Sequence, residues 1–252
     1  MPLTWWLQCV NTLLLLATAL LCVRVGRRVV PGYHAAGWRL AGAAFLVHAL
    51  SLVVQNTFGG MALAAGSASP VSEAYLRWDP VLNHGRTFLL VGMLLALLLL
   101  AVYRRQPDQQ YWRISAGLLA AGLAAGTLIG VFEGRFTEAG HYFAVAIWDG
   151  VELLLLMVAL FAHLLTSRID RALWTLLTAY GSTLALGVFW FALLTRLGTP
   201  GWTPPLWTAQ LPRLACHLVM LAAAWWRLRA ALRGRRVPGM MELASRPVST
   251  FA

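Results

Sequence analysis

Long apolar runs, separated by short polar or arginine-bearing stretches, follow one another along almost the whole chain. A helix of about 20 apolar residues, rising 1.5 Å per residue, crosses the ~30 Å hydrocarbon core of a bilayer. Seven segments meet this condition, at approximately 4–23, 38–58, 84–103, 113–132, 141–165, 172–195 and 207–230. The pattern predicts an all-α integral membrane protein. Residues 1–232 would form a seven-transmembrane-helix bundle, and residues 233–252 a short basic tail.

Composition supports this class of protein and argues against two others. Of the 252 residues, 60% are hydrophobic and 12% are charged, whereas a soluble domain has about 25% charged residues. All 20 cationic residues are arginine, so no lysine is present to form a retinal Schiff base, and the microbial rhodopsins are excluded. The net charge of +11 is spread over loops and tail rather than one soluble face, so no nucleic-acid partner is expected.

The arginines also predict the orientation in the membrane. Fifteen lie on the side of the C-terminal tail and five on the other side. By the positive-inside rule, the N-terminus is outside and the C-terminus is cytoplasmic, and we expect the bacterial cytoplasmic (inner) membrane. The tail is too short for a catalytic signalling domain, so a signalling role would need another membrane or signalling protein as partner, besides the lipid bilayer.

Two expectations concern the ends of the segments. The stretch 59–82 is the longest connection and begins with Gly, Ala and Ser, so it is predicted to be a flexible outer loop, with a short interfacial helix at 71–79. Most of the 12 tryptophans, Trp38 among them, lie near segment ends and are assigned to the aromatic belts of the membrane interfaces.

Polar residues inside the segments are the candidates for function. Asp149 and Glu152 lie three residues apart on one helix face, and a charge at that depth costs roughly 2.5–3.5 kcal/mol unless it faces the bundle interior or a wet cavity. Other polar residues concentrate in the outer half, whereas the inner half is almost entirely Leu, Ala and Val. This asymmetry predicts an outward-facing polar pocket above an apolar plug. Its candidate ligand-binding residues are Asn56, His84, Arg86, Glu133, Trp148, Asp149, Glu152 and Arg213.

His48 and His217 form a second constellation, because each lies about ten residues into its segment and hence near the midplane. Two histidines at equal depth on facing helices are typical axial ligands of a haem b iron. For either histidine alone, a hydrogen-bonded position inside the bundle is the alternative.

The stretch from His48 to Leu52, the 72–75 tetrad Ser-Glu-Ala-Tyr and the pair Trp78-Asp79 loosely resemble the haem-handling cytochrome c assembly proteins. Those proteins carry a membrane histidine, an outer loop and a tryptophan-rich WWD motif. The resemblance covers about 35 residues, with one isolated Trp-Asp pair in place of the full motif, and implies haem handling.

Three functions follow from these features. The outer pocket favours a ligand-binding or sensory, receptor-like module. The histidine pair favours a haem- or quinone-associated subunit of a redox or cytochrome-assembly complex. A faint internal repeat, together with Asp149 and Glu152, favours a transporter, although the inner half offers no polar path. Neither a nucleophile–base pair nor a metal-ligand spacing is present, so an enzyme is not expected.

Overall fold

A computed structural model of the protein describes residues 3–29, 32–66, 68–102, 107–133, 170–198 and 205–233. Within these ranges the chain forms helices and no strands. The α-helices are α1 (Leu3–Arg28), α2 (Gly32–Ala65), α3 (Pro70–Val102), α4 (Gln109–Glu133), α5 (Arg171–Leu197) and α6 (Gln210–Leu232), and a 3₁₀ turn (Leu206–Ala209) leads into α6. The segment predicted at 141–165 lies outside the described residues, so α5 and α6 correspond to predicted segments 6 and 7.

Four of these helices are long and apolar enough to cross a membrane, over Leu3–Arg28, His34–Ala65, Pro70–Leu100 and Gln109–Phe132. The described chain therefore has the character of an all-helical membrane protein whose apolar helices contact lipid. The seven-helix bundle and its orientation remain predictions.

The expectation of a flexible loop at 59–82 is wrong. α2 continues to Ala65 and α3 already begins at Pro70, so only a tight turn remains, in which Gly66 has φ +86°, a conformation that favours glycine. Two glycines that weaken helix propensity are covered by aromatic rings: a Cβ added to Gly59 would lie 3.3 Å from the ring of Tyr75, and one added to Gly60 would lie 3.2 Å from the ring of Trp5. This tertiary packing is why the helix persists where composition predicts a loop.

The resulting helices are longer than a membrane requires. α2 has 34 residues and α3 has 33, or about 50 Å each at 1.5 Å per residue. Since the hydrocarbon core is ~30 Å thick, the α2–α3 hairpin projects beyond it. The predicted interfacial helix at 71–79 is helical, but as the first part of α3.

The helices pack in a continuous series. α4 lies against α3, α3 against α2, α2 against α1, α1 against α6, and α6 against α5. Cross-contacts join α2 to α5 as well, for example between His48 and Tyr180. An apolar core occupies the middle of this arrangement, and five helices each contribute a fully buried side chain to it: Leu15, Phe45, Met93, Leu176 and Met220.

Glycines set the distance between α3 and α4. A methyl group placed on Gly126 would lie 2.1 Å from the carbonyl oxygen of His84, and one on Gly122 would lie 2.2 Å from that of Phe88. Gly130 approaches Val81 in the same way, at 2.4 Å. This tandem small-xxx-small spacing lets two membrane helices touch backbone to backbone, and it fixes the stretch of α3 that carries Arg86.

The ends of the helices opposite the α1 N-terminus are joined by a buried cluster around Asp170. Asp170 caps α5, since its Oδ1 accepts from the backbone N–H of Ala172 at 2.9 Å. Its Oδ2 accepts from the indole N–H of Trp38 on α2 at 3.2 Å and from the guanidinium of Arg227 on α6. One carboxylate thus links three helices.

This cluster corrects two sequence interpretations. Trp38 is 0% exposed and Arg227 is 4% exposed, so Trp38 does not belong to an aromatic belt, and Arg227 is not a solvated charge at a membrane end. Both are held by Asp170, whose pairing partners are distant in sequence and invisible to a pattern of local spacing.

We predict that Gly126→Ala lowers stability by about 1–3 kcal/mol, the usual cost of overpacking, because the added methyl group meets the backbone of α3. Gly117→Ala is the matched control on the same helix, since a Cβ at Gly117 meets nothing within 4 Å. Thermal unfolding of both variants in detergent measures the difference, and equal melting temperatures would contradict the close approach.

We predict that Asp170→Asn lowers stability by about 3–5 kcal/mol, the range for breaking a buried ion pair. Asparagine keeps one acceptor oxygen, which can cap α5 or accept from Trp38 but cannot do both. The change therefore removes the charge opposite Arg227 together with one of these hydrogen bonds. The control is Arg229→Gln, an exposed arginine on the same helix, for which we expect an effect within about 0.5 kcal/mol. A thermal or denaturant titration in detergent compares the two.

Candidate functional site: a polar cavity among five helices

A cavity of about 270 Å³ lies at the end of the bundle where α1 begins. It is bounded by the first halves of α1 and α3, the second half of α2, the middle of α5 and the first turns of α6. Its lining is mainly polar and consists of Gln8, Asn11, Thr12, His48, Leu52, Gln55, Asn56, Tyr75, Asn83, Arg86, Thr87, Tyr180, Thr183, Gln210, Arg213 and His217.

The wall between α1 and α2 is built by a chain of directed hydrogen bonds. The amide of Asn56 donates to the hydroxyl of Thr12 at 2.8 Å, and this hydroxyl donates to the backbone carbonyl of Gln8 at 2.8 Å. The indole of Trp5 donates to the backbone carbonyl of Asn56 at 3.0 Å. Because Asn56 is held at its nitrogen, its side-chain oxygen is fixed in place.

On the α2–α3 wall, a neutral side chain stands between opposite charges. The oxygen of Gln55 accepts from the guanidinium of Arg86, while the nitrogen of Gln55 donates to the carboxylate of Asp79. Arg86 also donates to the side-chain oxygen of Asn83. Gln55 therefore links Arg86 and Asp79, and both ends of its amide are engaged in protein bonds.

The wall formed by α1 and α6 contains two consecutive hydrogen bonds, the second of which ends on a histidine. The amide nitrogen of Asn11 donates to the side-chain oxygen of Gln210 at 3.4 Å, so the oxygen of Asn11 points the other way, to Nδ1 of His217 at 3.1 Å. An amide oxygen can only accept. His217 therefore carries its proton on Nδ1, and its Nε2 presents a lone pair.

The deepest part of the lining is aromatic. Nδ1 of His48 shares a hydrogen bond of 3.1 Å with the hydroxyl of Tyr180, and Tyr180 also packs against Phe45 at a ring distance of 5.1 Å. Thr183, one turn further along α5, donates to the backbone carbonyl of Tyr180 at 2.6 Å. Immediately below, Phe45 and its apolar neighbours close the cavity with the buried core.

Several predicted site residues meet here. Asn56, Arg86 and Arg213 line the cavity, and so do His48 and His217. That any of them binds a ligand or a metal remains a prediction, because the positions of these side chains do not identify a ligand.

The other predicted residues are not part of the described wall. His84 is buried, only 3% exposed, on α3 near its contact with α4, and is not among the lining side chains. Glu133 ends α4, and its side chain lies outside the described residues. Trp148, Asp149 and Glu152 also lie outside them.

Most of the other lining residues were not among the predicted site residues, and Tyr180, Thr183 and Gln210 are three examples. A signal existed for the first two, since the run from Tyr180 to Thr183 interrupts an otherwise apolar segment with glycine and hydroxyl side chains. Gln210 stands at the first residue of α6 and is indistinguishable from an ordinary helix-start residue without the contact to Asn11.

The arrangement can form hydrogen bonds in many directions but offers little for a bare metal ion. Among the described residues, no group of three or more His, Cys, Asp or Glu side chains converges on one point. Both histidines are anchored through Nδ1, as is usual for metal-ligating histidines. A metal ion bound by them would still need further ligands, or a macrocycle between the two histidines to supply them.

Comparison of the chain with protein-family models, curated proteins and solved structures returned no match. Function is therefore inferred from the cavity itself.

Proposed function

We propose that the protein is a ligand-binding membrane module of sensory or receptor type, which binds a small polar ligand in this cavity and acts through a partner protein. The observation that carries the proposal is the convergence of polar side chains from five helices on one cavity in an otherwise apolar bundle. The seven-helix architecture, the outside N-terminus and the bacterial inner membrane are parts of the same proposal, supported by the arginine distribution.

The polar lining favours a binding function, because burying polar side chains in an apolar bundle lowers the stability of the fold. Buried polar groups cost free energy unless they are hydrogen-bonded, and polar residues within membrane-spanning segments are by default candidates for function. Here Asn11, Gln55 and Asn56 are each held by neighbouring side chains. Such pre-organisation lowers the entropic cost of binding a ligand.

The charged residues of the site are expected to extend this lining. Asp149 and Glu152 would enter from the same end as Arg86 and Arg213, according to the direction of the predicted segment. We infer that these acids pair with the two arginines and that Trp148 flanks them, while Glu133 and His84 lie at the rim near α4.

Two ends of the molecule share the same helices, which favours a sensory role. α2, α5 and α6 each contribute to the cavity and each meet at Asp170 through Trp38 and Arg227. Rigid helices that join a site to a distant cluster are suited to carry a small displacement from one to the other. In the predicted orientation, the Asp170 cluster faces the cytoplasm and any partner.

A transporter is the weaker reading of the same cavity. Among the described helices, the apolar core beneath His48 and Tyr180 includes Phe45, Leu176 and Met220, each 0% exposed, and it offers no polar path for a substrate. A transport role would be favoured if substrate flux into proteoliposomes were lost on Glu152→Gln.

We predict that a screen of water-soluble metabolites against the purified protein finds a compound that raises its melting temperature, because a ligand that binds only the folded state at 100 times its Kd adds about 2.7 kcal/mol of stability. Arg86→Gln should abolish most of this shift. Arg77→Gln is the matched control, since Arg77 is exposed on the same helix and should keep the shift.

Loss of the shift in both variants, or in neither, would contradict a site at Arg86. A lower melting temperature of the apo protein in Arg86→Gln, with no compound shifting the wild type, would instead indicate a purely structural network.

A haem- or quinone-associated role is the second candidate, favoured by His48 and His217 on one cavity. The space between the described helices, about 270 Å³, is below the roughly 300–1,000 Å³ of drug-sized ligand sites, and a haem is a large planar macrocycle. We therefore rank haem second.

We predict that the gently purified protein shows no Soret band. If a band that shifts on reduction is present, and if both His48→Ala and His217→Ala remove it while Gly117→Ala retains it, haem ligation replaces the ligand-binding proposal.

A further inference from the structure

We propose that the ligand of the cavity is a small hydroxyl-rich compound of the sugar or polyol class, and that Nε2 of His217 accepts a hydrogen bond from one of its hydroxyl groups. This inference rests on the proposed ligand-binding function and names the chemistry of its ligand.

The first step is the fixed tautomer of His217. Its Nδ1–H is committed to the oxygen of Asn11 at 3.1 Å, and the nitrogen of Asn11 is committed to Gln210. With the proton on Nδ1, the other ring nitrogen of the neutral imidazole is an acceptor only. His217 is 7% exposed and lines the cavity, so a ligand that reaches Nε2 must bring a donor hydrogen.

The second step separates positioning residues from binding groups. Asn11 and Gln55 use the oxygen and the nitrogen of their amides in bonds to other side chains. They orient the wall and are not the groups that meet the ligand. Asn56, Asn83 and Gln210 each use only one end, and the other end is left for the cavity.

The third step is the pattern of the remaining groups. Within the described part of the chain, Nδ2 of Asn83 and Nε2 of Gln210 are donors without a protein acceptor, and Oδ1 of Asn56 and Nε2 of His217 are acceptors without a protein donor. None of these four atoms belongs to the buried side-chain atoms that lack both solvent contact and a hydrogen-bond partner. They come from three helices, α2, α3 and α6, and they present two donors and two acceptors to the space.

A hydroxyl group matches this pattern because it donates one hydrogen bond and accepts others. A compound with several hydroxyl groups can satisfy donors on one wall and acceptors on the next. An inorganic anion without a proton, such as sulfate, offers acceptors alone and would leave Asn56 and His217 unmatched. An alkyl chain satisfies none of these groups, and each buried group left unpaired costs about 1–3 kcal/mol.

Size and aromatic content agree with a single small molecule. The cavity volume of about 270 Å³ suits a molecule smaller than a typical drug. The ring of Tyr180 provides an apolar surface beside the polar groups, and such a surface can cover the C–H face of a sugar ring.

The first experiment measures melting shifts of the full-length protein in detergent with three sets of compounds. The first contains glucose, ribose and inositol, the second glycine and glutamate, and the third the anions sulfate and acetate, which have no hydroxyl group. We expect the hydroxyl-rich set to raise the melting temperature by several degrees and the other two sets to have at most a small effect.

The second experiment tests His217 itself. Gln is the matched substitution, because its side-chain amide reaches the position of Nε2 and offers an acceptor there, whereas His217→Phe fills the space without one. We expect an increase in Kd of at least tenfold in His217→Phe and a smaller increase in His217→Gln, measured by titration calorimetry with the best compound of the first set.

A readout independent of affinity is the protonation pattern of the imidazole. Side-chain ¹⁵N NMR of histidine-labelled protein, with the His217 signal assigned by its absence in His217→Gln, should show the Nδ1–H tautomer. Asn11→Leu should convert it to a mixture of tautomers. A spectrum with the proton on Nε2 in the wild type would overturn the inference even if a sugar binds.

The remaining outcomes separate this inference from the proposed function. Stabilisation by an amino acid or an anion alone, lost in Arg86→Gln, overturns the hydroxyl-rich ligand and leaves a ligand-binding site. A sugar that binds equally well to His217→Phe overturns the role of His217 alone. The absence of any shift with all three sets counts against both proposals.

Discussion

The hydrocarbon around a membrane bundle neither donates nor accepts hydrogen bonds, and this one constraint organises the described structure. A polar side chain on an apolar helix must find its partner on another helix, because lipid offers none. Asp170 illustrates the consequence, since its carboxylate gathers Ala172, Trp38 and Arg227 around one point. Trp38 lies 132 residues from Asp170 along the chain, and Arg227 lies 57 residues from it. A single buried charge thus determines how three helices meet.

The same constraint acts differently at the other end of the bundle. Both oxygens of Asp170 are used by neighbours in the protein, whereas the cavity contains amides that are bound at one end only, such as Asn56 and Gln210. Polar groups that the protein itself does not satisfy must meet water or a ligand. The contrast between a saturated cluster and an unsaturated cavity, on the same helices, is the physical reason to place function at the cavity.

The location of the elements was largely accessible from the sequence, because apolar length alone selects helices in a membrane. The sequence also predicted that Asn56, Arg86 and Arg213 lie near one another. Successive helices run in opposite directions, so the position of a residue within its segment indicates its depth in the membrane. The α2–α3 hairpin was not accessible, because Gly59 and Gly60 favour a loop unless Tyr75 and Trp5 cover them. Trp38 and Arg227 were misread for a related reason: a tryptophan or an arginine near a segment end is ordinary, and only the distant Asp170 makes these two exceptional.

The nature of the lining argues for recognition rather than passage. Gln55 bonds to both Arg86 and Asp79, so both charges of this wall are hydrogen-bonded within the protein. Beneath it, a route between the described helices would have to part Phe45, Met93 and Met220 and then the Asp170–Arg227 pair. Exposing a buried ion pair to an apolar surrounding is costly, and refilling a packed apolar core after each passage would require large rearrangement. The sensory role proposed above asks for less, since a ligand bound at one end would alter the contacts at the other without parting this core or the ion pair.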